Sequence, residues 1–522
     1  MKISISLIAL VLFTKSFAQN FSITEQQHWG STYDEYVKDI EKTADGGYLY
    51  VCESFSYVNN NTLTDTLYGS VDIWLVRLDA NKNVVWNKTF GGYDTDLAKD
   101  IIKLSNGNYL ILSSSGTPVS GNKTTPNFGN FDVWVICIND NGDIIWQQSY
   151  GTDMSDGAGY AYELTPNKIT FLVGTNGGVS GNKSLPSKGG FDGWLVTIDT
   201  LGAILNEKVY GGSENDVFGK IEKLNNGHYL FHCTSESGIS GDKNSNSFGG
   251  FDAWLLEVDS TFAIVNQFAF GGTDNDNLIQ VIESSNNYLF FGSSSSPISG
   301  NKTSPKRCTG SDAILLKTDK NFNTINEKSF GDNSATIYRL DQQIILPNNQ
   351  IIFAGGVNGS ASPFNSRISN ASDIWLMQVN DTLDQIWNYS FGSVGFDSFV
   401  KGFIDANYEL DIFVNFSAPA SYDISVSTFG NQDVLYVKLS SDLSILESQL
   451  AVGVYPNPSR GIFHVTSATP ISAYSVFSVD GRLQANGATL TGSLDLQHLP
   501  AGTYIANFVS GKTSSSVKLV IE

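Results

Sequence analysis

The side chains that could do chemistry recur at a fixed step instead of gathering at one point in the chain. An aspartate opens an apolar segment at Asp72, Asp132, Asp192, Asp252, Asp312, Asp373 and Asp433. A second carboxylate follows a glycine turn at Asp96, Asp156, Asp216, Asp276 and Asp397, with Thr336 in its place once and Asp34 one residue early. Arranged over a channel, such oxygens suit a hard cation such as Ca2+, which takes carboxylate and carbonyl ligands. An aspartate at a strand start also accepts backbone N–H bonds and fixes the turn before it. Its presence in every unit favours that structural role, and no cofactor other than Ca2+ is implied.

A polar loop recurs in four consecutive units, as Ser120-Gly121-Asn122-Lys123, Ser180-Gly181-Asn182-Lys183, Ser240-Gly241-Asp242-Lys243 and Ser299-Gly300-Asn301-Lys302. Exposed loops usually carry function. Asn122, Lys123, Asn182, Lys183, Asp242, Lys243, Asn301 and Lys302 are therefore the candidate ligand-binding residues, although Ser-Gly-Asn is also ordinary turn chemistry. Trp74, Trp134, Trp194, Trp254 and Trp375 share one position and Trp86, Trp146 and Trp387 another. Such rows bind sugars or pack a core, and the repetition favours packing.

Catalytic signatures do not appear. The five histidines form no HExxH pair, and no GxSxG elbow, phosphate-binding loop or dinucleotide fingerprint occurs. No catalytic residue is assigned and no enzyme is expected. An enzyme on this scaffold requires acids, His or Tyr at non-repeating positions near its axis.

The elements that position these residues come from the repeat. The strand-start aspartates are spaced 60, 60, 60, 60, 61 and 60 residues apart. An aromatic-Gly pair keeps the same step, from Trp29-Gly30 and Phe90-Gly91 to Phe391-Gly392. One unit holds four strand-like segments: Asp72 to Leu78, Val84 to Phe90, Ile101 to Leu104 and Tyr109 to Leu112. The first is continuously apolar, as for a strand buried on both faces. Asn106-Gly107 between the last two is a hairpin signal. Four antiparallel strands repeated seven times predict an all-β, seven-bladed β-propeller. The N-terminal copy lacks the aspartate strand and the last copy supplies it, so N- and C-terminal strands are expected to close the ring and remove two sheet edges. The glycine turn and the long polar loop then share one face.

The Gly211-Gly212 turn, Asp216, Gly227-His228-Tyr229 and Asp252-Ala253-Trp254 resemble the bacterial β-propeller repeat family, over roughly residues 20 to 445. That resemblance implies a fold and no single activity. Beyond Leu450 the grammar changes to Val454-Tyr455-Pro456-Asn457-Pro458-Ser459-Arg460-Gly461, Asp480-Gly481-Arg482 and Leu499-Pro500-Ala501-Gly502-Thr503-Tyr504. This resembles the type A C-terminal sorting domain of the Bacteroidetes type IX secretion system. The resemblance implies a small C-terminal β-sandwich read by the outer-membrane export machinery. Tyr455, Pro456, Asn457, Pro458, Gly461, Gly481, Gly502 and Tyr504 are the matching positions.

The N-terminus reads as a signal peptide: Lys2, an apolar run from Ile3 to Phe13, and Ser16-Phe17-Ala18 before the cut. The expected domains are 1–18, signal peptide; 19–450, propeller; and 451–522, sorting domain. No other stretch approaches transmembrane length. The four cysteines fall at unrelated points of the repeat and form no disulfide framework. A formal charge of −21 repels phosphate backbones and excludes nucleic acid as a partner. The expected function is a secreted or cell-surface binding scaffold for an extracellular glycan or protein. The alternatives are a secreted polysaccharide hydrolase or lyase, and a structural spacer of the surface layer.

Overall fold

The computed structural model describes residues 21–55, 67–332, 335–346, 350–359, 371–405, 409–441, 452–467, 469–478, 482–490, 492–510 and 513–522. The signal-peptide segment 1–18 and Gly481 lie outside them. The described residues form strands, turns and loops without a helix. They divide into two compact units, Met1–Ser440 and Ser441–Glu522.

Among the described residues, the first unit holds seven four-stranded sheets. The second of them runs Asp96–Lys103, Tyr109–Ser115, Asp132–Ile138 and Ile144–Tyr150, in that order across the sheet. The expected repeat unit is out of phase with this. The aspartate-led strand is third in its sheet, not first. The long polar loop joins the second and third strands of one sheet, and the glycine turn links one sheet to the next. A tandem repeat carries no mark of where a unit begins, so sequence periodicity alone leaves the phase open. The strand expected to begin at Ile101 begins at Asp96, because a β-bulge between Ala98 and Asp100 breaks its alternation.

The seventh sheet draws on both ends of the chain. Ser398–Ile404, Glu409–Phe416 and Asp433–Ser441 are joined at the outside by Phe21–Trp29. The N-terminal segment pairs with the Asp433 strand, as the missing repeat strand required. The strands that follow it, Glu35–Lys42 and Tyr48–Ser54, belong to the first sheet.

Apolar side chains on both faces of each sheet pack against the next sheet. Leu49, Val51, Ile73 and Leu75 of the first sheet meet Ile111, Trp134 and Ile136 of the second. Trp29 joins Tyr50 and Trp74 of the first sheet to Phe413 and Tyr436 of the seventh. This two-sided burial is why Asp132–Ile138 reads as an unbroken apolar run: every residue in it is buried. Trp74, Trp134, Trp194, Trp254 and Trp375 are all fully enclosed, so this row serves packing. The four cysteines are free and buried.

The junctions repeat one device. The backbone N–H of each next sheet's first strand donates to the residue just before the aspartate-led strand: Asp96 to Val71 at 2.8 Å, Asp156 to Phe131 at 2.7 Å, Asp216 to Phe191 at 2.6 Å. Between the seventh sheet and the first, Glu35 donates to Gln432 at 2.9 Å. The strand-start carboxylate completes the joint. Asp192 Oδ2 accepts the N–H groups of Lys188 and Gly189 at 2.5 and 3.2 Å. Its other oxygen fills the space beside Gly211, where a Cβ would lie 1.8 Å from Oδ1. The same crowding holds at Gly151 against Asp132, at 1.9 Å. The glycine of the aromatic-Gly marker is thus required by a carboxylate of its own sheet. Gly211→Ala is expected to destabilise the fold by about 1–3 kcal/mol through overpacking, read as a shifted urea midpoint. An unchanged midpoint would show that the carboxylate is free to move.

The second unit packs two sheets on one core. Val452–Tyr455, Ile462–Ser467 and Ser493–Asp495 face Leu483–Leu490, Ile471–Ser478, Gly502–Ser510 and Thr513–Ile521. Phe463, Val476, Leu494, Phe508 and Leu519 lie between them. Asn457 stitches the Tyr-Pro-Asn-Pro turn to the last strand: Nδ2 donates to Lys518 O at 2.6 Å and Oδ1 accepts from Val520 N at 2.9 Å. Gly461 sits at φ +97°, where a side chain is strained. Tyr504 OH donates to Pro500 O at 2.8 Å.

Candidate functional site

A cavity of about 890 Å³ is lined by the first strand of all seven sheets of the first unit. Those strands are Glu35–Lys42, Asp96–Lys103, Asp156–Thr165, Asp216–Lys223, Asp276–Glu283, Ala335–Ile345 and Ser398–Ile404. Each carries a β-bulge in the same region. A bulge leaves a residue unpaired and re-aims its side chain. The bulged residues include Lys38, Lys99, Tyr160, Lys220, Ile279, Asp341 and Val400, and all of these line the cavity. The bulge thus converts a repeated strand into a support for side chains that differ from sheet to sheet.

The acids of the cavity are engaged. Lys401 Nζ reaches from the seventh sheet to Asp39 at 2.9 Å and Glu41 at 3.4 Å in the first. Glu53 pairs with Lys38 at 2.9 Å, and Asp341 with Arg339 at 3.1 Å. Asp100 accepts from Ala161 N at 2.9 Å. Burial, then the charge and hydrogen bond of neighbouring Asp39, push the Asp100 carboxyl well above the usual range. Burial raises Asp341 also, opposed by Arg339. Asn415 closes the wall between seventh and first sheets, accepting from Val37 N at 2.7 Å and donating to Val37 O at 3.1 Å.

On the cationic side, Lys99 and Lys220 both face the ring of Tyr160, with Nζ 4.5 and 5.8 Å from its centroid. Burial lowers the Lys99 ammonium, partly offset by Asp100 and Glu53. Burial raises the Tyr160 phenol, with Lys220 opposing. His232, also at the cavity, is held by Glu222 at 2.7 Å and by Leu278 O at 3.0 Å.

The loop residues expected to bind ligand have other work. Lys123, Lys183, Lys243 and Lys302 are buried, each with 2% or less of its surface exposed. Their ammonium groups donate inward: Lys183 to Gly177 O at 2.9 Å, Lys243 to Ser237 O at 2.7 Å. Asn122 Oδ1 accepts from Gly91 N at 2.9 Å while Nδ2 donates to Thr89 O at 2.8 Å, tying the loop to the preceding sheet. Asn182 and Asn301 repeat this, and Asp242 accepts from Gly211 N at 3.2 Å. A lysine whose charge is spent on internal carbonyls cannot greet a ligand, so the geometry gives these residues a stapling role. The loops instead expose Val119, Val179, Ile239 and Ile298.

The strand-start aspartates Asp72, Asp132, Asp192, Asp252, Asp312, Asp373 and Asp433 are fully buried. Among the described residues no group of three or more His, Cys, Asp or Glu side chains is placed to hold a metal ion. Sequence reasoning missed the cavity residues. The available signal was variation at a fixed repeat phase: Asp39, Asp100, Tyr160, Lys220, Gln280, Leu340 and Lys401 occupy one position of the repeat.

Comparison with known proteins adds one family. Residues 453–522 match the secretion system C-terminal sorting domain. This segment directs export across the outer membrane by the type IX secretion machinery, so the protein is secreted or displayed at the cell surface. No curated protein matches the chain. Among solved structures, the WD40 domain of Neurospora crassa Pan2 is 9% identical, covers 79% of this chain and 97% of its own, and has a TM-score of 0.38. Kuenenia stuttgartiensis hydrazine synthase is 8% identical over 77% of this chain and 96% of its own, at 0.40. A putative 6-phosphogluconolactonase from Bacteroides fragilis is 10% identical over 68% and 86%, at 0.35. No helix among the described residues is long and apolar enough to cross a membrane.

Proposed function

We propose that the seven sheets form one closed seven-bladed propeller, exported with its sorting domain, and that it binds an extracellular ligand in the central cavity. The observation that carries this reading is the contrast between scaffold and cavity. Packing, junction and turn residues repeat from sheet to sheet, whereas the bulge residues at the cavity change among most of the sheets. Folding requires the former in every unit and has no use for the latter. Closure is supported by the Glu35–Gln432 bond, which repeats between the seventh sheet and the first what the other junctions do. The proposed boundaries are 1–18 for the signal peptide, 19–450 for the propeller and 451–522 for a type A sorting domain.

The test is a glycan and surface-protein binding screen with the full chain, repeated with Tyr160→Leu. A ligand retained by the native chain and lost by the variant supports the assignment. Binding that ignores the cavity change moves the site elsewhere, and no ligand across broad panels removes the reading.

A second reading, a polysaccharide hydrolase or lyase, is favoured by one observation: Asp39, Asp100, Asp341, Tyr160 and His232 are acid–base groups at one cavity, and of these only Asp39 and Asp100 are one residue type at one repeat position. A raised acid beside a second carboxyl group is an arrangement used in glycoside cleavage. New reducing ends or unsaturated uronates released by the native chain, and abolished in Asp100→Asn, would establish it.

A further inference from the structure

We propose that the ligand of the central cavity is an organic oxyanion of the acidic-sugar class, held by Lys99 and Lys220 beside Tyr160. The proposal rests on the binding reading above and deepens it.

The argument is a matching of charges inside the cavity. Asp39 and Glu41 share Lys401, Glu53 holds Lys38, and Asp341 holds Arg339. Asp100 takes the Ala161 N–H and lies against Asp39. Asp39, Glu41, Glu53 and Asp341 therefore have cationic partners, and Asp100 has the Ala161 N–H. Two cations remain. Among the described residues, neither Lys99 nor Lys220 has a carboxylate within ion-pair distance, although Asp100 and Glu53 act on Lys99, and Lys220 on Asp341, from farther off; both rest on the Tyr160 ring, at 4.5 and 5.8 Å. A cation–π contact of about 0.5–2 kcal/mol only partly replaces hydration or an ion pair. The two ammonium groups and the Tyr160 hydroxyl are three donors grouped at one place, and an oxyanion accepts from all three with charge-assisted bonds.

Their origin strengthens the assignment. Lys99 and Lys220 come from the second and fourth sheets and Tyr160 from the third, each presented by its sheet's bulge. The chain as a whole carries a formal charge of −21, so a pair of ammonium groups without a direct ion pair facing one cavity is not a general surface property. Size then selects among anions. A cavity of about 890 Å³ lies in the range of organic-ligand sites, roughly 300–1,000 Å³, and far exceeds the space one inorganic ion fills. A carboxylate or sulfate carried on a saccharide satisfies both the charge and the volume, and it is a chemistry met outside the cell, where the sorting domain delivers this protein.

The experiment is isothermal titration of the full chain with four probes: trigalacturonate, its fully methyl-esterified form, a sulfated disaccharide, and inorganic sulfate. At least one of the two acidic sugars is expected to bind, at least tenfold more tightly than the methyl ester and than inorganic sulfate. Which acidic sugar binds distinguishes a carboxylate from a sulfate ester. Lys220→Met and Lys99→Met are each expected to weaken that binding at least tenfold, with Lys99→Arg retaining most of it. Thermal melts establish that the variants fold, and Lys220→Met decides the matter if Lys99→Met does not. Equal binding of the methyl ester, or lysine variants that bind as the native chain does, overturns the anion assignment and leaves a neutral-ligand cavity. Inorganic sulfate binding as tightly as the sugars overturns the organic part. Failure of all four probes, with the native chain silent in the broad screen as well, overturns the binding reading itself.

Discussion

Deletion of Phe21–Trp29 is expected to cost the propeller unit more than any single substitution within it. Phe21 lies in the core between the sixth and seventh sheets, and Trp29 in the core between the seventh and first. Trp29 packs its ring 6.2 Å from Tyr50 and 6.5 Å from Phe413. Loss of one large buried aromatic costs about 3–5 kcal/mol, so the two together approach the whole stability of a typical domain, about 5–15 kcal/mol. The deletion also uncovers Asp433–Ser441 as an open edge, and unpaired strand edges associate with other chains. The shortened protein should be recovered as aggregate. Trp29→Ala alone should stay soluble with a midpoint lowered by about 3–5 kcal/mol in urea. A shortened protein that melts as the native chain does would mean that this strand closes nothing.

The second large effect is on pH. Burial, with the nearby Asp96, pushes the Asp72 carboxyl up to about 7. Burial, with Glu35, does the same at Asp433, and burial raises Asp132 to about 6. The unfolded chain loses these protons near pH 4. From about pH 4 to 7 the native state therefore binds more protons than the unfolded one. Stability then falls as pH rises, by up to about 1.4 kcal/mol per pH unit for each group. Lys123 works in the opposite sense: burial lowers its ammonium to about 8. Above pH 8 the unfolded state holds the extra proton and stability recovers until the tyrosines of the unfolded chain titrate near 10. Asp45 is held down to about 2 by hydrogen bonds from Thr43 and Gly47 and by Arg77. Its contribution is lost only below about pH 4, and it is small because the group is exposed. Calorimetric melting should peak near pH 4, reach a minimum near pH 8 and rise by pH 9.5. In Asp72→Asn the fall from pH 5 to 8 should be shallower. A melting temperature that climbs steadily from pH 5 to 8 would contradict the buried-acid account.

Much of the fold was legible because its physical requirements recur. A strand buried on both faces must be apolar throughout, so Asp132–Ile138 and its counterparts announce themselves. A carboxylate oxygen occupying the Cβ space of Gly151 or Gly211 fixes the spacing between aspartate and aromatic-Gly marker. The chain-end pairing was legible by subtraction, since one copy lacked the strand the other supplied. The phase of the sheets was not, because a tandem repeat has no origin and the bulged first strand hides half its length. The candidate cavity was not legible for a related reason. Lys123 and its counterparts look like binding residues from type and setting, but a four-carbon stem can carry a charge inward to backbone carbonyls as easily as outward. Tyr160 repeats nothing, Lys99 recurs only as Lys38 and Lys220 only as Lys401, and a search for recurrence passes over them. In a repeat protein the folding signal lies in what recurs and the ligand signal in what does not.

The central cavity exists as a site only if the two chain ends share the seventh sheet, and one cross-link tests that directly. Thr24 Oγ1 and Ser440 Oγ lie 3.4 Å apart on neighbouring strands, while the four native cysteines are buried and free. In the full chain carrying Thr24→Cys and Ser440→Cys, mild oxidation should give a monomer whose peptides containing positions 24 and 440 are joined by a disulfide. Free thiols at both positions, or disulfide-linked dimers in place of that monomer, would contradict the closed ring and the site proposed at its centre.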